Sequence, residues 1–175
     1  MEIIGSCKRE SSRSGYWELM KGFLGGVVGI LALSELANVT GVPWLMAPFG
    51  ATCVILFAAP HSPFARPRNV VIGHLITAVI GLVALYLFGR SVLVMSIAVG
   101  VSIAAMQYFR IVHPPAGANP LVIILAGRSV VGFEFLVTPV LVGSVMLVGI
   151  AFVLNNGVWG QHWWRRVWQR RFVRN

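Results

Sequence analysis

Ile111-Val112-His113-Pro114-Pro115-Ala116-Gly117-Ala118-Asn119-Pro120 lies in an apolar stretch, 111–127, that three prolines interrupt. It therefore reads as a membrane segment broken part-way, not as a continuous helix. Sixty-seven positions earlier stands Pro48-Phe49-Gly50-Ala51-Thr52, in an apolar stretch, 42–59, broken by Pro43 and Pro48. That shift lays Pro48, Gly50 and Ala51 on Pro115, Gly117 and Ala118, and Thr52 on Asn119. It also lays the apolar run 22–38 on 89–105, and 70–88 on 137–155. One register thus aligns helix, broken segment and helix in each half, the signature of an internal repeat. A unit that crosses three times is inverted relative to its copy.

The composition agrees with a membrane setting. Of 175 residues 57% are hydrophobic and 11% charged, with a mean hydropathy of +0.82, and five glutamates with no aspartate cannot supply a soluble surface. A soluble enzyme is excluded. Four runs are long and apolar enough to span about 30 Å of hydrocarbon, 22–38, 70–88, 91–109 and 133–154. If they and the two broken segments all cross, twelve Lys and Arg fall on the side of both termini and two, Arg90 and Arg128, on the other. This bias places both termini in the cytoplasm and explains the net charge of +9 without nucleic acid. The expected fold is an all-α membrane protein, a helical bundle of about six segments in two inverted three-segment repeats. A cytoplasmic tail 1–19 precedes a membrane domain 20–155, divided into repeats at about 20–88 and 89–155. A tail 156–175 follows, in which Trp159, Trp163, Trp164 and Trp168 alternate with arginines as an interfacial anchor. The basic stretch before 22–38 imitates a signal peptide, but the run is long for one and no clean cleavage site follows. Cys7 and Cys53 give neither a disulfide framework nor a metal spacing.

The broken segments carry the expected chemistry. Thr52 is suited to cap a helix 53–59, and Asn119 to cap one that begins at Pro120. Each would be a half-helix, roughly 10 to 12 Å long. Inversion aims both N-termini, with their positive dipole ends, at one space near the midplane, where Gly50 and Gly117 leave backbone N–H groups open. A helix terminus returns only about 0.3 to 2 kcal/mol against a larger penalty for an ion in the bilayer. With no Arg or Lys inside an expected span, the site suits weak binding and passage of a small monovalent anion.

The stretch His113-Pro114-Pro115 with its flanks resembles the signature of the HPP family of integral membrane proteins. Ala47-Pro48-Phe49-Gly50-Ala51, Phe57-Ala58-Ala59-Pro60, Ser62-Pro63 and Arg66-Pro67-Arg68-Asn69-Val70 through Gly73-His74 resemble its other block, so the likeness covers about 20–155. The resemblance implies a protein usually described with four membrane helices, with nitrite transport in chloroplast and cyanobacterial members. Some members carry an added regulatory domain, which is not expected here. Nitrite fits the derived site, as do nitrate, formate, chloride and bicarbonate.

Three histidines, His61, His74 and His113, fall within one leaflet and admit a metal or proton-relay reading as well as simple hydrogen bonding. Glu35, the carboxylate well within a span, is a candidate for proton coupling or a snorkelling side chain. Glu134 suits the start of the last helix, Arg66 and Arg68 suit positive-inside topology, and the span glycines suit close helix packing. The expectation is a multi-pass protein of the bacterial inner membrane, a channel or carrier for a small inorganic anion, nitrite first. Its binding residues are Pro48, Gly50, Ala51, Thr52, His74, His113, Pro114, Pro115, Gly117, Ala118 and Asn119. No metal or cofactor and no enzymatic activity are expected. The alternatives are a histidine-based metal or redox protein and a non-transporting scaffold; Gly-rich faces leave a homo-oligomer open.

Overall fold

The computed structural model describes residues 15–42 and 44–158. Among them there is no strand, and six helices follow in order: α1 (Tyr16–Thr40), α2 (Ala47–Ala58), α3 (Pro67–Phe88), α4 (Val92–Tyr108), α5 (Pro114–Ala126) and α6 (Phe133–Asn156). α1, α3 and α6 are long and apolar enough to cross a membrane; α2, α4 and α5 are shorter. Pro43, the N-terminal tail and the Trp/Arg tail lie outside the described residues, apart from short pieces at each inner edge.

Turn chemistry sets the boundaries. Gly41, in the left-handed region at φ 68°, ends α1, with its N–H bonded to the Ala37 carbonyl. Pro48, Pro67 and Pro115 sit in the first turns of α2, α3 and α5, where a missing N–H costs nothing. The Ser91 hydroxyl caps α4 by accepting from the Val94 N–H. Glu134 stands in the 3₁₀ turn that opens α6, ahead of a kink at Thr138 where the backbone leaves the helical region (φ −123°, ψ 111°), and accepts from the Gly132 N–H.

Three expectations need correction. α1 begins at Tyr16 rather than at 20 or 22, so Glu18 and Lys21 belong to a spanning helix. The first short helix begins at Ala47, six residues before the expected 53, because proline tolerates a first turn; the second is α-helical from Asn119, within a residue of the expected 120, and a 3₁₀ stretch extends it back to Pro114. At 1.5 Å per residue they measure about 18 and 20 Å, longer than the expected half-helices yet short of the hydrocarbon thickness. Shifted by 67, Ala47–Ala58 falls on 114–125 and Pro67–Phe88 on 134–155, each within a residue of α5 and α6, whereas α1 starts well ahead of the position matching α4.

α3 is the axis of the molecule. Near its start, the Asn69 amide donates to the carbonyls of Pro63 and Val112, and near its finish Arg128 donates to those of Leu85 and Tyr86. α5, which lies between Val112 and Arg128, therefore runs parallel to α3. α2 runs the other way, its last turn leading into the Ser62–Asn69 stretch while the Asn155 amide at the end of α6 donates to the Leu56 carbonyl. The two short helices thus point to opposite ends of α3. Close approach rests on small residues: a Cβ on Gly81 would meet the Pro120 Cα at 2.9 Å, and one on Gly143 would meet the Phe49 ring at 2.6 Å. The outer faces of α1, α3, α4 and α6 expose Leu31, Val83, Ile97 and Val145, the surface that lipid solvates.

Candidate functional site

Where α2 and α5 meet against α3, a knot of polar side chains is shut inside an apolar bundle. Thr52, His74, Thr77 and His113 are fully buried and Asn119 is 1% exposed. The Thr52 hydroxyl of α2 lies 2.9 Å from His74 Nε2 and 3.0 Å from His113 Nε2, and also 2.9 Å from the Pro48 carbonyl one turn back. On the far side of the His74 ring, the Asn119 amide nitrogen reaches His74 Nδ1 at 3.1 Å, the His74 carbonyl at 3.0 Å and Thr77 Oγ1 at 2.9 Å. His113 Nδ1 meets the Phe64 carbonyl at 2.9 Å. The Phe49 and His113 rings each stand edge-on to His74 at 5.1 Å.

Donor and acceptor bookkeeping then assigns the protons. A carbonyl only accepts, so His113 Nδ1 carries hydrogen and donates to Phe64, and the nitrogen of Asn119 that faces the His74 carbonyl is a genuine NH₂. That NH₂ also faces His74 Nδ1, which must be an acceptor, because two donors in opposition would repel. His74 is therefore neutral, with its hydrogen on Nε2 and donated to Thr52. The single Thr52 proton is left to serve either His113 Nε2 or the Pro48 carbonyl. With His113 neutral it goes to Nε2, and the bonds run in one direction from Asn119 through His74, Thr52 and His113 to Phe64. With His113 protonated, the Thr52 hydroxyl turns to Pro48 and accepts from both rings. The cluster thus fixes His74 as neutral and accommodates His113 in two protonation states without loss of a hydrogen bond. Asn119 Oδ1 is the unsatisfied atom of the cluster, buried and without a partner among the described residues.

The sequence matches the HPP transmembrane-region family over residues 11–164. The chain belongs to the HPP family. Two relatives in Dictyostelium discoideum, each described only as a transmembrane protein, are 30% identical over 80% of this chain and 32% identical over 85% of it. The alignments cover 47% and 55% of those proteins, so this HPP chain spans about half the length of the curated relatives it matches. No solved structure matches it.

Four of the expected site residues, Thr52, His74, His113 and Asn119, come together in this HPP cluster, and Pro48 contributes its carbonyl. Thr52 and Asn119 do so as interior helical residues and not as N-caps, since neither α2 nor α5 has a side-chain cap. The expected small-residue lining differs. Ala51 and Pro114 are exposed, Gly50, Gly117 and Ala118 are half-buried, and a Cβ on either glycine would meet nothing within 4 Å. Pro115 is buried. Glu35 is exposed on α1, outside the cluster's hydrogen bonds, because its helical phase turns it away from Leu33 and the core. His61 is also exposed and lines a separate cavity. Among the described residues no three His, Cys, Asp or Glu side chains come together as a metal set. Sequence reading missed Thr77, Asn69 and the Phe64 carbonyl. Thr77 stands three residues after His74, on the same helix face, a spacing that marks it as a partner.

Proposed function

We propose that this HPP-family protein is a membrane pathway for a small monovalent anion, nitrite first, which passes at the junction of α2, α3 and α5. The observation that carries this reading is the buried Thr52–His74–His113–Asn119 cluster, since ionisable groups held at membrane depth are costly and are kept where solutes or protons move. The cluster holds no fixed cation, which favours release over retention. Its polar atoms bond mainly to one another, so an anion must displace internal bonds to enter. A proton on His113 supplies the compensating charge, and the pair crosses with no net charge. Inverted three-segment repeats would present this junction to each side in turn; the opposite directions of α2 and α5 support that arrangement. The basic bias toward the termini supports cytoplasmic ends, in the bacterial inner membrane.

The test is uptake of nitrite, nitrate, formate and chloride into proteoliposomes with an internal pH dye. Wild type should take up nitrite and acidify the lumen, while Asn119→Leu and His113→Ala should lose most of the rate with folding retained. Folded wild type that moves none of these anions ends the proposal in favour of a scaffold.

A further inference from the structure

Lys21 is a lysine in a place where lysines are rarely found alone. It lies in the second turn of α1, only 6% exposed, and makes no hydrogen bond or ion pair among the described residues. Glu18, one turn earlier on the same helix, is exposed and likewise unpaired among them. Both line one cavity of about 410 Å³ between the start of α1 and the stretch Phe57–Ser62. The walls are mixed: Leu19, Phe57 and Pro60 are apolar, while His61 and Ser62 are polar. The Ser62 oxygen accepts from the Phe64 N–H, which leaves its proton free to donate outward.

The depth of this cavity is set by α1. Its 25 residues extend about 37 Å against a hydrocarbon core of about 30 Å, so two or three residues project at each end. Tyr16 and Trp17, 69% and 67% exposed, then sit at headgroup level, Glu18 at the boundary and Lys21 just beneath it. A water-borne counter-ion reaches this level less readily than the headgroups that already occupy it. The cavity offers a cation and a carboxylate that do not neutralise each other, which matches a ligand bearing one charge of each sign.

We infer that the cavity binds the headgroup of a zwitterionic aminophospholipid of the phosphoethanolamine type. Lys21 and Ser62 hold the phosphate, Glu18 accepts from the ammonium, and Leu19, Phe57 and Pro60 face the glycerol end. This assignment does not depend on transport. It places a lipid against the loop that also supplies the Phe64 carbonyl to His113.

Native mass spectrometry of the full chain, delipidated and then offered equimolar phosphatidylethanolamine, phosphatidylglycerol and phosphatidylcholine of identical acyl chains, tests it. Wild type should retain one phosphatidylethanolamine at least fivefold over either competitor. Lys21→Met should abolish that preference and Lys21→Arg should keep it. Glu18→Gln should shift retention toward phosphatidylglycerol, each variant having a melting curve like that of wild type. Equal retention of the three lipids by wild type overturns the inference, as does retention that Lys21→Met leaves unchanged. Binding of soluble glycerophosphoethanolamine without retention of the lipid overturns the lipid source and assigns the cavity to a free zwitterion.

Discussion

Thr52→Val is the sharpest perturbation of the cluster, because it keeps the shape and deletes one oxygen. That oxygen stands 2.9 Å from His74 Nε2 and 3.0 Å from His113 Nε2, so its loss leaves a buried N–H and a buried ring nitrogen without partners. Orphaned buried groups cost about 1 to 3 kcal/mol each in soluble proteins, while side-chain hydrogen bonds inside membranes average about 0.6 and reach about 1.7 kcal/mol. Two such losses at full burial sum to about 1 to 3 kcal/mol, a factor of roughly 5 to 150 in the unfolding equilibrium. Thr52→Ser keeps the oxygen and drops one methyl, worth about 0.8 kcal/mol. Equilibrium unfolding in bicelles, read by the tryptophan emission of the protein, should therefore rank wild type, Ser and Val in falling stability. Anion uptake per folded molecule should survive in Ser and fail in Val. If Val is as stable as Ser and transports equally, the hydroxyl does not bridge the two rings and the assignment of protons above is wrong.

Three further outcomes follow from named contacts. Asn119→Asp should destabilise more than Asn119→Leu at neutral pH, because a carboxylate oxygen would then face the His74 carbonyl that an N–H now serves; unfolding midpoints of the two variants check this. Gly81→Ala should lower stability by about 1 to 3 kcal/mol, since its Cβ would press on the Pro120 Cα at 2.9 Å. Gly50→Ala and Gly117→Ala, with open space beside them, should fold as wild type, which melting curves compare directly. Arg128→Met removes donors to the last carbonyls of α3 and a cation–π contact to Tyr86 at 5.4 Å, so it should reduce thermal stability while uptake per folded molecule stays near wild type.

The sequence made the helices legible because hydropathy and proline are local signals. The runs 70–88 and 91–109 differ from α3 and α4 by a few residues at their ends, and the two proline-broken stretches became α2 and α5. Helix starts were less legible. Pro48 and Pro115 read as breaks, whereas a proline in a first turn also begins a helix, and the two meanings separate only in the fold. Charge obscured the start of α1, since a span bounded at the nearest lysine excludes Lys21, which the structure buries. In the candidate site, Thr52, His74, His113 and Asn119 stood out as polar residues in apolar surroundings. Their mutual contacts, and the outward turn of Gly50, Ala51, Gly117 and Ala118, depend on helical phase and on which face of α3 each short helix packs, and no periodicity in a seven-residue motif records that.

The 67-residue offset between the two proline-broken stretches bears on the His74 ring. Thr52 and Asn119, the residues that a shift of 67 superposes, grip opposite nitrogens of that one imidazole, at 2.9 and 3.1 Å. A hydroxyl both donates and accepts, whereas the amide nitrogen only donates, so two corresponding positions of unlike chemistry give the ring a direction that two threonines would not. The consequence is a fixed tautomer, hydrogen on Nε2 and none on Nδ1, next to a His113 whose hydrogen bonds admit either protonation state. Solid-state NMR with ¹⁵N-labelled histidine in lipid reads both rings, each assigned by its own His→Gln variant. His74 should show an unprotonated Nδ1 across the range in which His113 changes, and Asn119→Leu should release it to either tautomer. A His74 that carries hydrogen on Nδ1 in wild type would place two donors face to face at 3.1 Å, and the directed path from Asn119 to Phe64 could not exist.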